Sequence, residues 1–269
     1  MQKIRRNYSL NHVIKYQHLR RLYLVDHHTA GKSAIHMWPA RQQVMFDGWI
    51  IRFLYPYAYR FNCIYPLEKG QMDIHKKISK CEQLYLKHGY EFVFQILPQS
   101  FKLDHILQKS GYEKCKKTSW MSISLKQFHH ISEETSTHCF IQPSNEWLAS
   151  RRQIAGYTEK EARIYKVFHH AITQKKYPFV LQMDHVPVAC GLGIQVGSYL
   201  GIFDVRTKVE FQRQGYARSL VQAIISHAQK KGVSHVQLHV DIPNTAAINL
   251  YQQLGFRRIC DYWFRRMRN

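Results

Sequence analysis

The chain has 269 residues, 45% of them apolar, and a formal net charge of +21 at pH 7. This length allows one large core or two modest ones, because domains usually contain about 100 to 200 residues. A membrane-spanning helix needs roughly 18 consecutive apolar residues. The best candidate, residues 44–59, is broken by Asp47 and Arg52. We therefore expect a soluble protein with two domains and no membrane span.

The six cysteines are scattered along the chain without any close pair. This spacing is typical of reduced, mostly buried thiols and argues against a disulfide framework or a zinc knuckle. All of them except Cys81 fall in predicted strands. Paired histidines such as His169-His170 point apart on a helix, so no metal site is predicted. The basic residues 1–6 are followed by no apolar segment, which indicates a cytoplasmic protein without an export signal.

The positive charge is spread along the chain instead of being concentrated in a tail. Its field could attract a nucleic acid, an acidic lipid or a polyanionic cofactor. A basic solvated surface explains the same composition equally well. Both interpretations stay open, and the sequence indicates no oligomeric state.

The second half of the chain, residues 137–269, predicts a mixed α/β domain. Apolar residues recur at helical spacing in some segments and alternate with polar ones in others. The expected sheet is antiparallel on one side and parallel across a crossover helix on the other. In chain order the predicted elements are a strand at 137–142, helices at 145–154 and 159–170, a strand meander at 177–183, 186–196 and 199–207, a helix at 217–228, a strand at 236–240, a helix at 247–254 and a strand from 256 onward.

The first half repeats the last part of this order more faintly. Helical spacing from Ile74 to Tyr85 ends at Gly89, and a strand at 90–97, a helix at 103–107 and a strand from Gly111 follow. We interpret the repeat as an internal duplication. The predicted division is a basic, tyrosine-rich helical extension at 1–33, a degenerate domain at 34–126 and a complete domain at 137–269. A hairpin of strands at 45–54 and 57–65 is expected to open the degenerate domain.

The segment between the predicted strand 199–207 and the helix that follows it carries the chemistry. Gly215 allows a tight turn and a close approach of the backbone to a ligand. The first amides of the helix lack intrahelical partners and can point at one anion. Arg213 and Arg218 add positive charge, and the small Ala217 keeps the helix start close to its neighbours. This pattern predicts a site for a pyrophosphate.

Three features taken together resemble the GCN5-related N-acetyltransferases, the GNAT superfamily, whose signature begins with Gln/Arg-x-x-Gly-x-Gly/Ala. They are the turn at 212–217, Asn244 at a helix start, and the segment 247–256, which contains Leu250-Tyr251 and ends in Leu254-Gly255-Phe256. The resemblance covers the second half. It implies the acyl-CoA N-acyltransferase (GNAT) fold, an α/β fold with a mixed sheet.

The first half, through residues 47–52 and 60–62, resembles the front domain of tandem members of the same superfamily. The resemblance therefore implies two tandem copies of the fold. Residues 67–72 stand where the first copy would need its turn, and Leu107 takes the place of Tyr251, so this copy is expected to lack the cofactor site. In the second copy Val209 stands where the family often has proline, which affects the rigidity of the turn more than its chemistry.

The resemblance also assigns roles to single residues. Asn244 would contact pantetheine or cap its helix, and Tyr251 would protonate the departing thiolate, although a core position also explains Tyr251. Val205, Arg206 and Thr207 would hydrogen-bond the pantetheine arm and the thioester carbonyl of acetyl-CoA through their backbone. The pyrophosphate would lie on Gln212, Arg213, Gln214, Gly215, Tyr216, Ala217 and Arg218.

The resulting hypothesis is an N-acetyltransferase in which a primary amine attacks acetyl-CoA directly in a ternary complex. The acceptor is open: a small amine, an antibiotic, an aminoacyl group or a protein N-terminus, with a preference for acceptors that carry negative charge. Asp204, His239 and Asp241 are available as the base, and none is assigned. The alternative is a non-catalytic protein that binds acyl-CoA or nucleic acid, for which no RNA-recognition signature is present.

Overall fold

A computed structural model of the protein describes residues 35–37, 40–54, 61–127 and 138–267. The extension predicted at residues 1–33 lies outside them. Across these described ranges no helix is both long enough and apolar enough to cross a membrane.

The strands are β1 (Gln42–Phe46), β2 (Trp49–Phe53), β3 (Cys63–Pro66), β4 (Val93–Ile96), β5 (Tyr112–Ser124), β6 (His138–Ile141), β7 (Lys175–Met183), β8 (Val186–Val196), β9 (Tyr199–Thr207), β10 (His235–Asp241) and β11 (Arg257–Met267). The main helices are α1 (Ile74–Leu86), α2 (Phe101–Lys109), α3 (Ser144–Ala155), α4 (Glu159–Ala171), α5 (Tyr216–Lys230) and α6 (Thr245–Gln253).

The strands form one sheet in the order β1-β2-β3-β4-β11-β5-β10-β9-β8-β7-β6. Two neighbouring pairs, β3 with β4 and β9 with β10, are parallel. Strands β6 to β9 form an antiparallel meander, and the crossover between β9 and β10 contains α5. The predicted sheet of the second half, antiparallel on one side and parallel across a helix on the other, is therefore confirmed.

The centre of the sheet is built from strands of both halves of the chain. β5, the last strand of the first half, lies between β10 and β11, while β11, the last strand of the chain, lies between β4 and β5. Residues 118–124 of β5 pair with β10, and residues 112–122 pair with β11. Each half therefore supplies a strand to the other half, which no local sequence pattern predicted.

Helices cover both faces of the sheet. The buried side chains of α5 and α6 pack with those of β5, β9 and β10, and the buried side chains of α1 and α2 pack with those of β2, β3 and β4 on the same face. On the opposite face α3 and α4 pack over β7 and β8, together with Met37 from the first half. A smaller cluster on that face joins Trp120 of β5 to Tyr262 and Phe264 of β11.

The start of the first half differs from the prediction. The strand expected at residues 45–54 is two strands, β1 and β2, joined by a tight turn at Asp47-Gly48. The φ angles of these residues, 47° and 82°, are those of a two-residue hairpin turn, for which Asp-Gly is a favoured sequence. The prediction of a single strand was wrong because apolar residues stand on both sides of the turn, so that the segment resembles one continuous strand. The predicted strand at 90–97 is shorter and spans Val93–Ile96.

The cysteines follow the prediction. Five of the six lie in strands, and Cys81 lies in α1. Cys63, Cys81 and Cys190 are buried, and the other three cysteines are partly buried. Burial raises the pKa of the Cys81 thiol to about 12, so this thiol stays protonated and unreactive at neutral pH.

Candidate active site

The parallel strands β9 and β10 are hydrogen-bonded along only part of their length. Their pairing runs from Tyr199 and His235 to Ile202 and Leu238. Beyond that point, residues 203–207 of β9 have no partner on β10. On this edge the backbone of residues 203–207 is not paired with β10, although the other edge pairs with β8. Because α5 begins shortly after β9, this open edge and the start of the helix meet at the carboxyl end of the strand. Such a place at the end of parallel strands is where α/β sheets bind ligands.

A β-bulge shapes the unpaired end of β9. The register between β8 and β9 shifts so that Gly191 lies opposite both Asp204 and Val205, and Asp204 has a φ of 54°. The extra residue reverses the alternation of side chains along the strand. As a result Val205 packs toward α5, whereas the side chains of Asp204 and Arg206 contact residues of α3 and the loop after it on the other face.

The N-terminus of α5 is open to a ligand. Gly215 is the N-cap residue, with a φ of 89°, and no side chain caps the helix. A Cβ atom built on Gly215 meets no atom within 4 Å. The first amides of α5 have no intrahelical acceptor, and the helix dipole adds partial positive charge at the same place. This end of α5 can therefore hold an anion.

Two glutamines brace the turn that leads into α5. The Gln212 side chain donates from Nε2 to the carbonyl oxygen of Thr207 at 3.3 Å, which ties the turn back to the end of β9. The Gln214 side chain donates from Nε2 to the carbonyl oxygen of Glu210 at 3.1 Å. Both side chains are thus engaged in shaping the loop, so that contacts with a ligand would come mainly from backbone amides.

The other predicted turn residues lie around the same helix start. Tyr216 contacts the sulfur of Met183 through its hydroxyl and packs against the core, and Ala217 at the next position is half-buried. Arg218 donates a hydrogen bond to the side chain of Gln253 at the end of α6. The Arg213 side chain is exposed, and its backbone has a φ of 61°. The structure therefore brings residues 205–207 and 212–218 together at one end of β9.

The two predicted residues of α6 have different surroundings. Asn244 caps the helix, since its Oδ1 accepts a hydrogen bond from the amide of Ala247 at 3.2 Å. Tyr251 is 7% exposed and packs edge-on against Phe256, with ring centroids 5.8 Å apart. Burial raises the pKa of the Tyr251 hydroxyl to about 12, so that it holds its proton at neutral pH. A proton donor to a thiolate must start in that form.

The three residues available as a base are all engaged. Asp204 bonds two guanidinium groups, and both of its oxygens are occupied, so it acts as a structural anion. His239 stacks on Trp120 with ring centroids 5.7 Å apart. Asp241 accepts a hydrogen bond of 3.4 Å from the Thr118 hydroxyl. The geometry does not single out one of them, and the base stays unassigned.

The turn at residues 67–72, between β3 and α1, bonds a carboxylate of the chain itself. The Asp47 carboxylate accepts hydrogen bonds from the amides of Gln71 at 2.8 Å and Met72 at 3.1 Å. Lys77, whose side chain is fully buried, forms an ion pair with it at 3.0 Å. The start of α1 itself is capped by Asp73, which accepts hydrogen bonds from the amides of His75 and Lys76. Carboxylates of the chain itself therefore engage the amides around this turn.

We expect the substitution Asp47→Asn to destabilise the protein at neutral pH but not in strong acid. Hydrogen bonds from Gln71, then Lys77, lower the pKa of Asp47 from 3.8 to about 2. A carboxyl group with a lowered pKa stabilises the folded state above its ordinary pKa, and this contribution disappears as pH falls through the lowered value. The difference in melting temperature between the variant and the wild type should therefore shrink as the pH falls from about 4 to about 2.

Circular dichroism melts at a series of pH values test this expectation. The matched control is Asp184→Asn, because Asp184 is also in a hairpin turn with a positive φ, of 46°, and is exposed. An Asp47→Asn variant as stable as the control at pH 7 would contradict the role of Asp47.

Comparison with known proteins relates this geometry to a family. Residues 128–256 match the model of the acetyltransferase (GNAT) family. An uncharacterized N-acetyltransferase, YobR, from Bacillus subtilis is 23% identical over 235 residues, which cover 85% of this chain and 93% of that protein. The matched region, residues 128–256, is thus similar to an acetyltransferase (GNAT) domain, and most of the chain is similar to a relative named as an N-acetyltransferase.

Solved structures agree with the fold. A GCN5-related N-acetyltransferase from Kribbella flavida superposes with a TM-score of 0.67 at 15% identity, covering 86% of this chain and 90% of that one. A tandem GNAT protein from the clavulanic acid biosynthesis pathway gives a TM-score of 0.58 at 12% identity, with 76% and 74% covered. These superpositions confirm the predicted mixed α/β fold. The family match and the named relative support the predicted acyltransferase class, while the roles of single residues stay predictions.

Proposed function

We propose that this protein is an N-acetyltransferase, that it uses acetyl-CoA as its donor and that a primary amine attacks the thioester directly in a ternary complex. The observation that carries the proposal is the uncapped N-terminus of α5 at Gly215, next to the unpaired end of β9. GNAT acetyltransferases in general take acetyl-CoA as cosubstrate. The helix start suits the pyrophosphate of acetyl-CoA, and the open edge of β9 suits its pantetheine arm.

The pyrophosphate suits the helix start. Backbone amides of the turn at 212–217 would bind its oxygens, and the Arg213 guanidinium would add charge to the same site. The Gly215 backbone can approach the phosphate closely because no side chain intervenes. Arg218 would add positive charge while it joins α5 to α6.

The pantetheine arm suits the strand. It contains amide groups, which can pair with an unpaired strand edge as an added strand does. Val205, Arg206 and Thr207 offer such an edge, because β9 has left β10 at this point. The thioester carbonyl would accept a hydrogen bond from this backbone, which would stabilise the negative charge that develops on its oxygen during attack. Asn244 would contact the arm while its Oδ1 caps α6.

The chemical step needs one proton donor. The neutral amine nitrogen forms a bond to the carbonyl carbon, the C–S bond breaks, and the sulfur leaves with the electron pair as a thiolate. Tyr251 would give its proton to that sulfur, and the proton lost by the nitrogen would pass to water or to the unassigned base. The buried, protonated hydroxyl of Tyr251 supports this role.

We also propose that the chain contains two tandem copies of the fold, at residues 34–126 and 137–269, and that only the second binds acetyl-CoA. The order β3-α1-β4-α2-β5 repeats as β9-α5-β10-α6-β11, and each set contains one parallel pair of strands. The Asp47 carboxylate in the first turn supports a single cofactor site. The first copy would help to shape the acceptor side of the cleft.

Calorimetric titration with acetyl-CoA, followed by a thiol-release assay with a panel of amines, tests the proposal. We expect saturable binding with one site per chain.

Tyr251→Phe should bind acetyl-CoA as the wild type does but lower kcat about 100-fold, a typical effect of losing a general acid. The control, Tyr177→Phe, removes a tyrosine hydroxyl that bonds Gln195 at 2.7 Å in the same core and should leave kcat unchanged. Absence of saturable binding would refute the use of acetyl-CoA, and an unchanged kcat in Tyr251→Phe would remove Tyr251 from the mechanism.

A further inference from the structure

A group of charged and aromatic side chains lies beside the bulge of β9, on the face of the sheet that carries α3 and α4. Arg151 of α3 bonds Asp204 through two nitrogens, Nε and NH2, the second at 3.1 Å. Arg206 bonds the same carboxylate from Nε at 3.0 Å. Its NH2 donates to the Tyr157 hydroxyl in the loop after α3 at 2.9 Å. We call these four residues the Arg206 cluster.

The two arginines of the cluster are not equivalent. Arg151 is 3% exposed, and its guanidinium lies over the ring of Tyr165 at 3.2 Å from the centroid. The Arg206 side chain is 41% exposed and holds only one edge against Asp204. Arg151 is therefore an interior group, whereas Arg206 is partly exposed and has donor hydrogens beyond those that bond Asp204 and Tyr157.

The cluster has an excess of one positive charge. It contains two guanidinium groups, which are always protonated, and a single carboxylate. Because Asp204 lies between the two and Arg151 is buried, the uncompensated charge is at Arg206. A partly exposed guanidinium with free donors, held rigidly by a carboxylate and a tyrosine, is a preorganised site for a carboxylate or phosphate.

The position of Arg206 connects this charge with the reaction. Its backbone belongs to residues 205–207, the unpaired end of β9 to which the proposed function assigns the thioester. The bulge turns its side chain to the face opposite α5. The guanidinium is thus one side-chain length from the proposed reacting carbonyl and on the opposite face from the proposed pyrophosphate site.

We propose that Arg206 binds an anionic group, a carboxylate or a phosphate, on the amine acceptor and so selects acceptors that are acidic amines. This inference rests on the proposed function, since it needs the thioester at residues 205–207. The same charge disfavours dicationic acceptors such as polyamines, and it lowers the pKa of a nearby ammonium group, which promotes the neutral amine that attacks. Arg151, Asp204 and Tyr157 are positioning residues that hold the Arg206 guanidinium.

The test compares acceptors that are matched in size but differ in charge. One arm contains short peptides and their C-terminal amides, and the other contains phosphoethanolamine, ethanolamine and putrescine. We expect wild-type kcat/KM to be at least about tenfold higher for the anionic member of a pair, the value of one charge-assisted hydrogen bond. The arm with the larger preference distinguishes a carboxylate from a phosphate.

The variant Arg206→Gln should raise KM for the anionic acceptor about 10- to 100-fold, and Arg206→Lys should recover part of the loss. The control Arg163→Gln removes an exposed arginine of α4, paired only with Glu159 in the part of the chain described, and should match the wild type. Equal or better use of neutral or dicationic amines by the wild type, no use of any anionic amine, or an equal loss for all acceptors in Arg206→Gln would overturn the inference. Calorimetry with acetyl-CoA on the same samples separates these outcomes from failure of the proposed function, which would abolish donor binding itself.

Discussion

Replacing Gly215 with valine should abolish measurable binding of acetyl-CoA. The Gly215 φ of 89° lies in the region that L side chains rarely adopt, and a valine there would project into the open space at the start of α5. A pyrophosphate bound by the turn would need that space. Loss of several charge-assisted hydrogen bonds corresponds to an affinity drop of more than about 100-fold. Titration calorimetry against the wild type measures it.

The control for this prediction is Gly232→Val at the other end of the same helix. Gly232 has a φ of 69°, and a Cβ built there also meets nothing within 4 Å. The two variants therefore share a comparable backbone strain, and both should unfold at a lower temperature than the wild type. Only Gly215→Val should lose the ligand. Retained binding in a folded Gly215→Val protein, or equal losses in both variants, would place the pyrophosphate elsewhere.

A fragment of residues 137–269 should fail to fold as a monomer, although it contains the complete predicted domain. In the intact chain β10 pairs with β5, and β11 pairs with β5 and β4, all from the first half. Without them the fragment exposes three strand edges, both edges of β11 and one of β10, and loses Met121, Ile123 and Leu125 from its largest core cluster. Unpaired strand edges and exposed apolar core promote aggregation.

Far-UV circular dichroism, size-exclusion chromatography and thermal unfolding of the fragment test this prediction. The control is the full chain with a protease site inserted between residues 128 and 137 and then cleaved. The two cleaved pieces should remain associated and keep the cooperative transition of the intact protein, because the shared strands hold them together. A fragment that is monomeric, melts cooperatively and binds acetyl-CoA would show that the shared strands are dispensable.

The elements of the second half were predictable because their signals are local. The predicted strands 186–196 and 199–207 coincide with β8 and β9, and the predicted helix at 217–228 lies within α5. The spacing of apolar residues, helical in some segments and alternating in others, can be read from the sequence. It agrees with the structure because each of these elements buries one face. The turn at Gly215 and the start of α5 were predictable for the same reason, since consecutive residues form them. That this turn binds an anion stays a prediction.

The side-chain clusters were not predictable. Arg151 lies 53 residues from Asp204, and they meet only because α3 packs on the sheet beside β9. The bulge that sends Arg206 to the acceptor side depends on the register between β8 and β9. Asp47 reaches the amide of Gln71 across 24 residues because the β1–β2 turn folds against the turn before α1. Asp204 is available as a base in the sequence, but only the fold brings to it the two guanidinium groups that engage both of its oxygens.

By itself the sequence determined the class of fold, most element bounds in the second half, the resemblance to the family and the turn that would hold the donor. The tertiary structure decided which strands are neighbours at the centre of the sheet. The sequences of β5 (YEKCKKTSWMSIS) and β11 (RRICDYWFRRM) contain no regular alternation that would specify the neighbouring strands, so they do not determine the exchange. Strand order is fixed by non-local hydrogen bonds and by the joint burial of both halves, and these exist only once the whole chain has folded.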